Sequence, residues 1–207
     1  MNAGTILRPA AAAVTGLLLF ASFPPLGQAD AAWFALAPLL LALRNLSPRK
    51  GFALGWLAGM VFWLGSLSWL WRLVDNGGPL ILVLLGHGAL AAYCALYSGL
   101  FSLAVAWLWR DARLASRPMA RVGTALLLQP LLWTGTEYLR GVLFTGFPWN
   151  NLAVSQFRNL ALIQCASFGG MSAVSFLIVA VNGGVAALMA RIARDLRRSR
   201  QPAGAPV

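Results

Sequence analysis

Few side chains in this sequence can do chemistry, and they are scattered. Glu137 is the only glutamate, His87 the only histidine and Lys50 the only lysine, while Cys94 and Cys165 are the only cysteines. Arg140 follows Glu137 by three positions, one helical turn on, so an ion pair is within reach. A carboxylate in apolar surroundings is costly unless paired. Glu137 therefore reads either as a clamp for the chain around it or as a substrate contact. Nucleophilic acyl transfer would need a thiol, a carboxylate and an ammonium within a few ångströms. His87 lies between Gly86 and Gly88 with no partner visible in the sequence, which points to a hydrogen-bonded packing histidine. The cysteines lack C-x-x-C spacing, so neither a disulfide framework nor a zinc site is supported. Cys94 reads as a small apolar filler and Cys165 as structural, and no metal or other cofactor is expected. There is no G-x-S-x-G, P-loop or H-E-x-x-H.

Composition dictates the elements that must position these residues. Of 207 residues, 59% are hydrophobic and 10% charged, and the mean hydropathy is +0.73. A water-soluble domain of this size needs far more polar surface. Between clusters of charge run apolar stretches of roughly 15 to 30 residues, and about 20 span a bilayer core as a helix. A closed β-barrel is the only other spanning solution, and it requires an alternation that Leu80–Leu85 and Leu126–Leu128 lack. The sequence thus predicts an all-α integral membrane protein, a bundle of about six transmembrane helices. They fall at about 9–23, 29–43, 52–73, 80–109, 119–139 and 169–190, within one domain over 1–192, followed by a basic, disordered tail over 193–207. The first apolar segment ends in Ala21-Ser22-Phe23 before Pro24-Pro25, without the small residue of a cleavage site, and reads as a retained helix.

Charge sets the orientation. The net charge of +11 would suggest a nucleic-acid partner in a soluble protein. Here 13 of the 16 basic residues fall on one side of the six-helix map, at Arg8, around Arg49, around Arg117 and from Arg191 onward. That bias places both termini in the cytoplasm and expects no nucleic acid. It also separates Lys50 from Glu137 by about a bilayer thickness, so no Cys–Glu–Lys triad can be assembled.

The first two segments, at about 22 Å of helix each, are short for a core of roughly 30 Å and suggest a hairpin turned by Pro24-Pro25. Gly51, Gly55 and Gly59 on the third segment, and Ala91, Ala95 and Gly99 on the fourth, form small-residue ridges suited to close helix packing. Trp69, Trp71, Trp107 and Trp109 fit interfacial belts. The connection from Arg140 to Ser167 is too apolar for a solvated loop. Its Phe144, Phe147 and Trp149 predict an aromatic, re-entrant or interfacial segment on the periplasmic side, where Pro148 has no N–H to leave unsatisfied.

Glu137-Tyr138-Leu139-Arg140-Gly141, Phe144-Thr145-Gly146-Phe147-Pro148-Trp149 and Ser155-Gln156 resemble the membrane portion of bacterial apolipoprotein N-acyltransferases. Phe23-Pro24-Pro25, Trp69 and Leu96-Tyr97-Ser98-Gly99-Leu100-Phe101 add to the likeness, which runs to about Arg191. The resemblance implies a bacterial inner-membrane protein serving transfer of an acyl chain from phospholipid to the N-terminal amine of a lipoprotein. In that family a nitrilase-like periplasmic domain carries a Glu–Lys–Cys triad, and nothing in this sequence maps onto it. The expectation is a membrane half that positions lipid, is inactive alone, and takes phospholipid, the lipoprotein N-terminus and a nitrilase-like domain in trans as partners. Phe144, Phe147, Pro148 and Trp149 would form the lipid wall, with Arg140 available to a phosphate or carboxylate and Glu137 and Gln156 beside it. A non-catalytic anchor recruiting a separate enzyme and a small transporter are the alternatives.

Overall fold

The computed structural model describes residues 3–111 and 117–199, and all regular structure among them is helical. Helix α1 covers Ala3–Ala21, followed by a 3-10 turn over Ala29–Trp33 and the short α2, Ala37–Ala42. Next come α3 (Pro48–Ser66), a 3-10 turn (Ser68–Trp71), the one-turn α4 (Arg72–Asp75) and the long α5 (Leu80–Leu108). Beyond them lie α6 (Pro118–Gly123), a π turn (Thr124–Leu128) and α7 (Gln129–Val142). An irregular segment with 3-10 turns at Leu143–Thr145 and Leu152–Gln156 and the one-turn α8 (Leu160–Ile163) leads to α9 (Ala166–Ser199).

Each of the six expected segments is helical in part, yet fewer have the length of a crossing. Leu80–Leu108 and Ala166–Leu196 are long and apolar enough to cross a membrane. Pro48–Ser66 with Ser68–Asp75, bent by 48°, makes a third if counted as one span. The segment expected over 29–43 is a 3-10 turn and a six-residue helix, and Pro38 enters at the start of that helix. The segment expected over 119–139 is interrupted by the π turn, which ends just before Gln129-Pro130. Pro130 has no N–H to give the preceding turn, so the ladder widens there instead of continuing as α-helix. The expected tail also needs correction: α9 runs on through Ser199, supported at the surface by Arg191 and Asp195, four apart and 3.9 Å from each other. The rest of that tail lies outside the described residues.

The glycine ridge of α3 lies against α5, running antiparallel. A Cβ on Gly51 would meet Ala106, one on Gly55 would run into Ser102, and one on Gly59 would come within 2.9 Å of the Ala95 Cβ. At these spacings the two helices gain dispersion contact along their whole shared length. Gly99 serves a different contact, the ring of Phe52. α1 packs on the other side of α3, and α9 packs against α7 and α2.

The 3-10 turn and α2 have few backbone partners of their own, and buried side chains make up the deficit. Asn182 on α9 accepts from the Leu36 N–H at 2.8 Å and donates to the Ala32 carbonyl at 2.9 Å. The Thr15 hydroxyl accepts from the Leu39 N–H at 3.1 Å, and the Gln156 amide donates to the Ala29 carbonyl at 2.8 Å. Buried backbone that departs from a regular helix needs partners of this kind.

Candidate functional site

The site is the chain from Leu143 to Gln156, folded back against the middle of α5 and the ends of α3 and α7. Two buried charged side chains hold it. Arg140, 3% exposed, donates from Nη1 to the carbonyls of Phe147 (2.7 Å) and Trp149 (2.6 Å), and from Nη2 to Asn151 Oδ1 (2.7 Å). Its guanidinium also lies over the Trp63 ring, 4.8 Å from the centroid. Glu137 Oε1 accepts from the Leu152 N–H at 2.6 Å and from the Trp133 indole at 3.0 Å. Glu137 and Arg140 form no direct ion pair among the described residues; each spends its bonds on the returning loop. The spacing offered an ion pair, and the bonds run instead to the returning loop, as a clamp for the chain around Glu137 would have them.

The loop between these anchors is bent hard. Phe144 (φ 49°), Thr145 (φ 73°) and Asn150 (φ 45°) lie in the left-handed region, as does Gly146 (φ 78°). A Cβ on Gly146 would collide with the Gly141 carbonyl, so only glycine fits there. The Phe147 N–H donates back to the Arg140 carbonyl at 2.7 Å, closing the turn. Left-handed conformations at Thr and Phe cost about 1–3 kcal/mol each and persist only when the surroundings dictate them. Asn150 adds a bond to the Ser66 hydroxyl, Ala153 N–H one to the Ser175 hydroxyl (3.0 Å), and Tyr93 one to the Leu143 carbonyl (3.1 Å).

This scaffold sorts the expected lipid-facing residues. Phe144 is 84% and Trp149 46% exposed, and Pro148 is exposed beside them. Phe147 instead turns inward, edge-on to Trp63 at 6.2 Å and stacked on Trp149 at 6.1 Å. Trp69 joins the outer face, 5.7 Å from Trp149. A groove of about 290 Å³ runs between α5 and the loop, lined by Leu90, Tyr93, Phe144 and Phe147 among others. Such a wall suits an acyl chain. Three of the expected contact residues lie inside the protein. Gln156 is 1% exposed and ties the loop to the Ala29 carbonyl, so it positions the loop from inside. Glu137 is 8% exposed and, like Arg140, is committed to protein partners. A lipid phosphate would have to displace existing bonds to reach Arg140.

The remaining chemistry-bearing residues are dispersed. His87 Nε2 sits 3.1 Å from the Leu64 carbonyl and edge-on to Trp71, a packed histidine. Cys94, fully buried at mid-α5, lines a cavity of about 30 Å³ with Trp63, Tyr97, Glu137 and Arg140. Sequence reasoning missed that neighbourhood, because no local spacing joins residues of α5 and α7. Lys50 is exposed at the start of α3, whereas the cavity touches Phe62 and Trp63 near that helix's other end. The separation is roughly 20 Å of helical rise.

Comparison with known proteins adds an independent line. A profile described as the apolipoprotein N-acyltransferase N-terminal domain matches residues 15–184. An apolipoprotein N-acyltransferase of Geobacter metallireducens is 40% identical over 199 residues, covering 95% of this chain and 35% of the relative. Those of Vibrio parahaemolyticus and Chromobacterium violaceum are each 34% identical, covering 86% and 87% of this chain and 34% and 33% of the relatives. The chain thus spans about a third of the length of the curated relatives it matches.

Proposed function

The chain belongs to the apolipoprotein N-acyltransferase N-terminal domain family, and from that premise we propose that it is the lipid-positioning membrane portion of such an enzyme. It holds phospholipid and the lipidated N-terminus of a lipoprotein at the outer leaflet of the inner membrane, for acyl transfer whose nucleophile resides on a nitrilase-like domain. Six membrane-embedded segments with cytoplasmic termini complete this reading. The observation that carries it is the outer ledge: exposed Phe144, Pro148 and Trp149 standing on a loop fixed from within by Arg140 and Glu137. A rigid apolar wall restrains an acyl chain, and restraint of reactants lowers a barrier by several kcal/mol through proximity alone.

Trp149 tests this directly. In lipid bilayers, the emission lost between wild type and Trp149→Phe isolates its signal. That signal is expected to be quenched by phospholipid brominated near the headgroup and shielded from aqueous iodide. Trp149→Ala is expected to weaken lipopeptide binding by about 1 kcal/mol, the scale of one aromatic contact, with thermal stability nearly unchanged. Free access of iodide without quenching by brominated lipid would leave an extramembrane loop and remove the proposal's basis.

Orientation has its own test. Single cysteines at Asn76 and Arg158 should react with an impermeant maleimide added outside intact spheroplasts, and one at Arg49 only after lysis. Protection of the first two would invert the map.

A further inference from the structure

The end of the molecule opposite the aromatic loop carries a second built feature. Two cavities of about 650 and 440 Å³ share walls at Arg44, Trp109, Arg121 and Arg194. Arg191 and Asp195 line the larger one, where Asp195 is the one carboxylate among the described residues and stands 3.9 Å from Arg191. The Arg44 guanidinium stacks on the Trp109 ring at 4.7 Å, which fixes its position. Burial, then the charges of Arg194 and Arg121, push Arg44 below the ordinary arginine range. Arg44, Arg191 and Arg194 thus present guanidinium groups to one cavity.

Apolar surface runs away from the arginines toward the middle of the molecule. Val122 and Leu188 line the larger cavity and are 48% and 58% exposed. Leu126 continues from Val122 one turn on, and Val181 lies two turns inward from Leu188, at 39% and 42% exposed. A free anion has no use for such a strip, whereas a diacylglycerol tail does.

We propose that this cavity binds a phosphate group, and that an anionic phospholipid of the adjoining leaflet supplies it, with its headgroup among Arg44, Arg191 and Arg194 and its chains along Val122 and Leu188. The site lies at the far end from the aromatic loop, so it would anchor the bundle without touching the lipid handled there. Arginine suits the task because its planar fork takes phosphate oxygens in pairs.

The full chain, purified in a neutral detergent, can be titrated with phosphatidylglycerol, with phosphatidylcholine and with inorganic phosphate, reading retained lipid by native mass spectrometry. Phosphatidylglycerol should be retained in preference to phosphatidylcholine and should survive excess inorganic phosphate. Arg44→Gln with Arg194→Gln should lower its retention about thirtyfold, at roughly fivefold per basic side chain. Equal retention of the two lipids, or undiminished phosphatidylglycerol in the double variant, would overturn the proposal. Complete displacement by inorganic phosphate would assign the site to a free anion and overturn the lipid. Should the double variant lose its helical circular dichroism, Arg191→Gln takes its place, since that side chain is 75% exposed. About a fivefold loss is then expected, and no loss counts against the site.

Discussion

Arg140→Ala is expected to release the segment from Phe147 to Leu152 and to cost about 3–5 kcal/mol, the range for removing one member of a buried charged cluster. Three charge-assisted hydrogen bonds converge on this one guanidinium, at 2.6–2.7 Å. Its loss leaves two part-buried carbonyls and an amide oxygen without this donor, and it strips Trp63 of its cation. Glu137 would remain buried in the same cavity with no opposite charge beside it. Arg140→Lys should recover less than half of the loss. An ammonium is a point donor, whereas the observed pattern needs two nitrogens pointing at three acceptors from one plane. Hydrogen exchange resolves the outcome by residue: the Phe147 and Leu152 amides should lose protection while α3 and α5 keep theirs. Unchanged protection of the Phe147 and Leu152 amides in Arg140→Ala would refute the role given to this arginine.

Parts of this architecture are legible in the sequence because they are local. Apolar runs locate the helices, since a bilayer-length stretch has few other uses, and the Gly51–Gly55–Gly59 spacing announces a close helix contact before its partner is known. The contact with Ala95, Ser102 and Ala106 then follows from antiparallel packing on the next long helix. What the sequence hides is long-range. The 3-10 turn and α2 are held by Asn182, 146 residues from Leu36 and 150 from Ala32, and no periodicity reports a side chain that replaces backbone bonds at that distance. Gln156 is hidden likewise, since its partner at Ala29 is 127 residues away. The break over Thr124–Leu128 was open to a closer reading, because Pro130 stands inside an apolar run and proline disturbs the turn before it.

The loop shows how a correct spacing can carry an incomplete inference. Glu137 and Arg140 share a helix face, as i and i+3 must, and a surface helix would leave them to each other. Here the chain reverses at Gly146 and brings backbone donors and acceptors between Phe147 and Leu152 into their reach. Those short bonds outcompete a direct ion pair, because a buried peptide group left unpaired costs about 1–3 kcal/mol while the two charges still attract without touching. The exposed aromatic surface is therefore a consequence of interior chemistry. Phe144 and Trp149 are outside because Arg140 holds the carbonyls on either side of Pro148.

Glu137 supplies the sharper discrimination between a positioning role and a substrate contact. Glu137→Ala is expected to cost about 3 kcal/mol, since it orphans the Leu152 N–H and the Trp133 indole together and leaves Arg140 uncompensated. Glu137→Gln keeps an acceptor oxygen at the same reach but loses the charge and adds an amide that needs partners of its own, so about 1–2 kcal/mol is expected. Glu137→Asp is one methylene shorter and should behave closer to alanine than to glutamine. This order, Ala and Asp below Gln, is that of a clamp. A residue that contacts substrate through its charge would instead leave all three variants stable and make Gln as poor as Ala in lipopeptide binding. Thermal midpoints and binding measured on the same preparations separate the two. Combining Glu137→Ala with Arg140→Ala adds a test of mechanism: both act on one loop, so the double variant should cost less than the two singles added together. Strict additivity would mean that the two residues hold separate structures, and the account of a single loop pinned at both ends would fall.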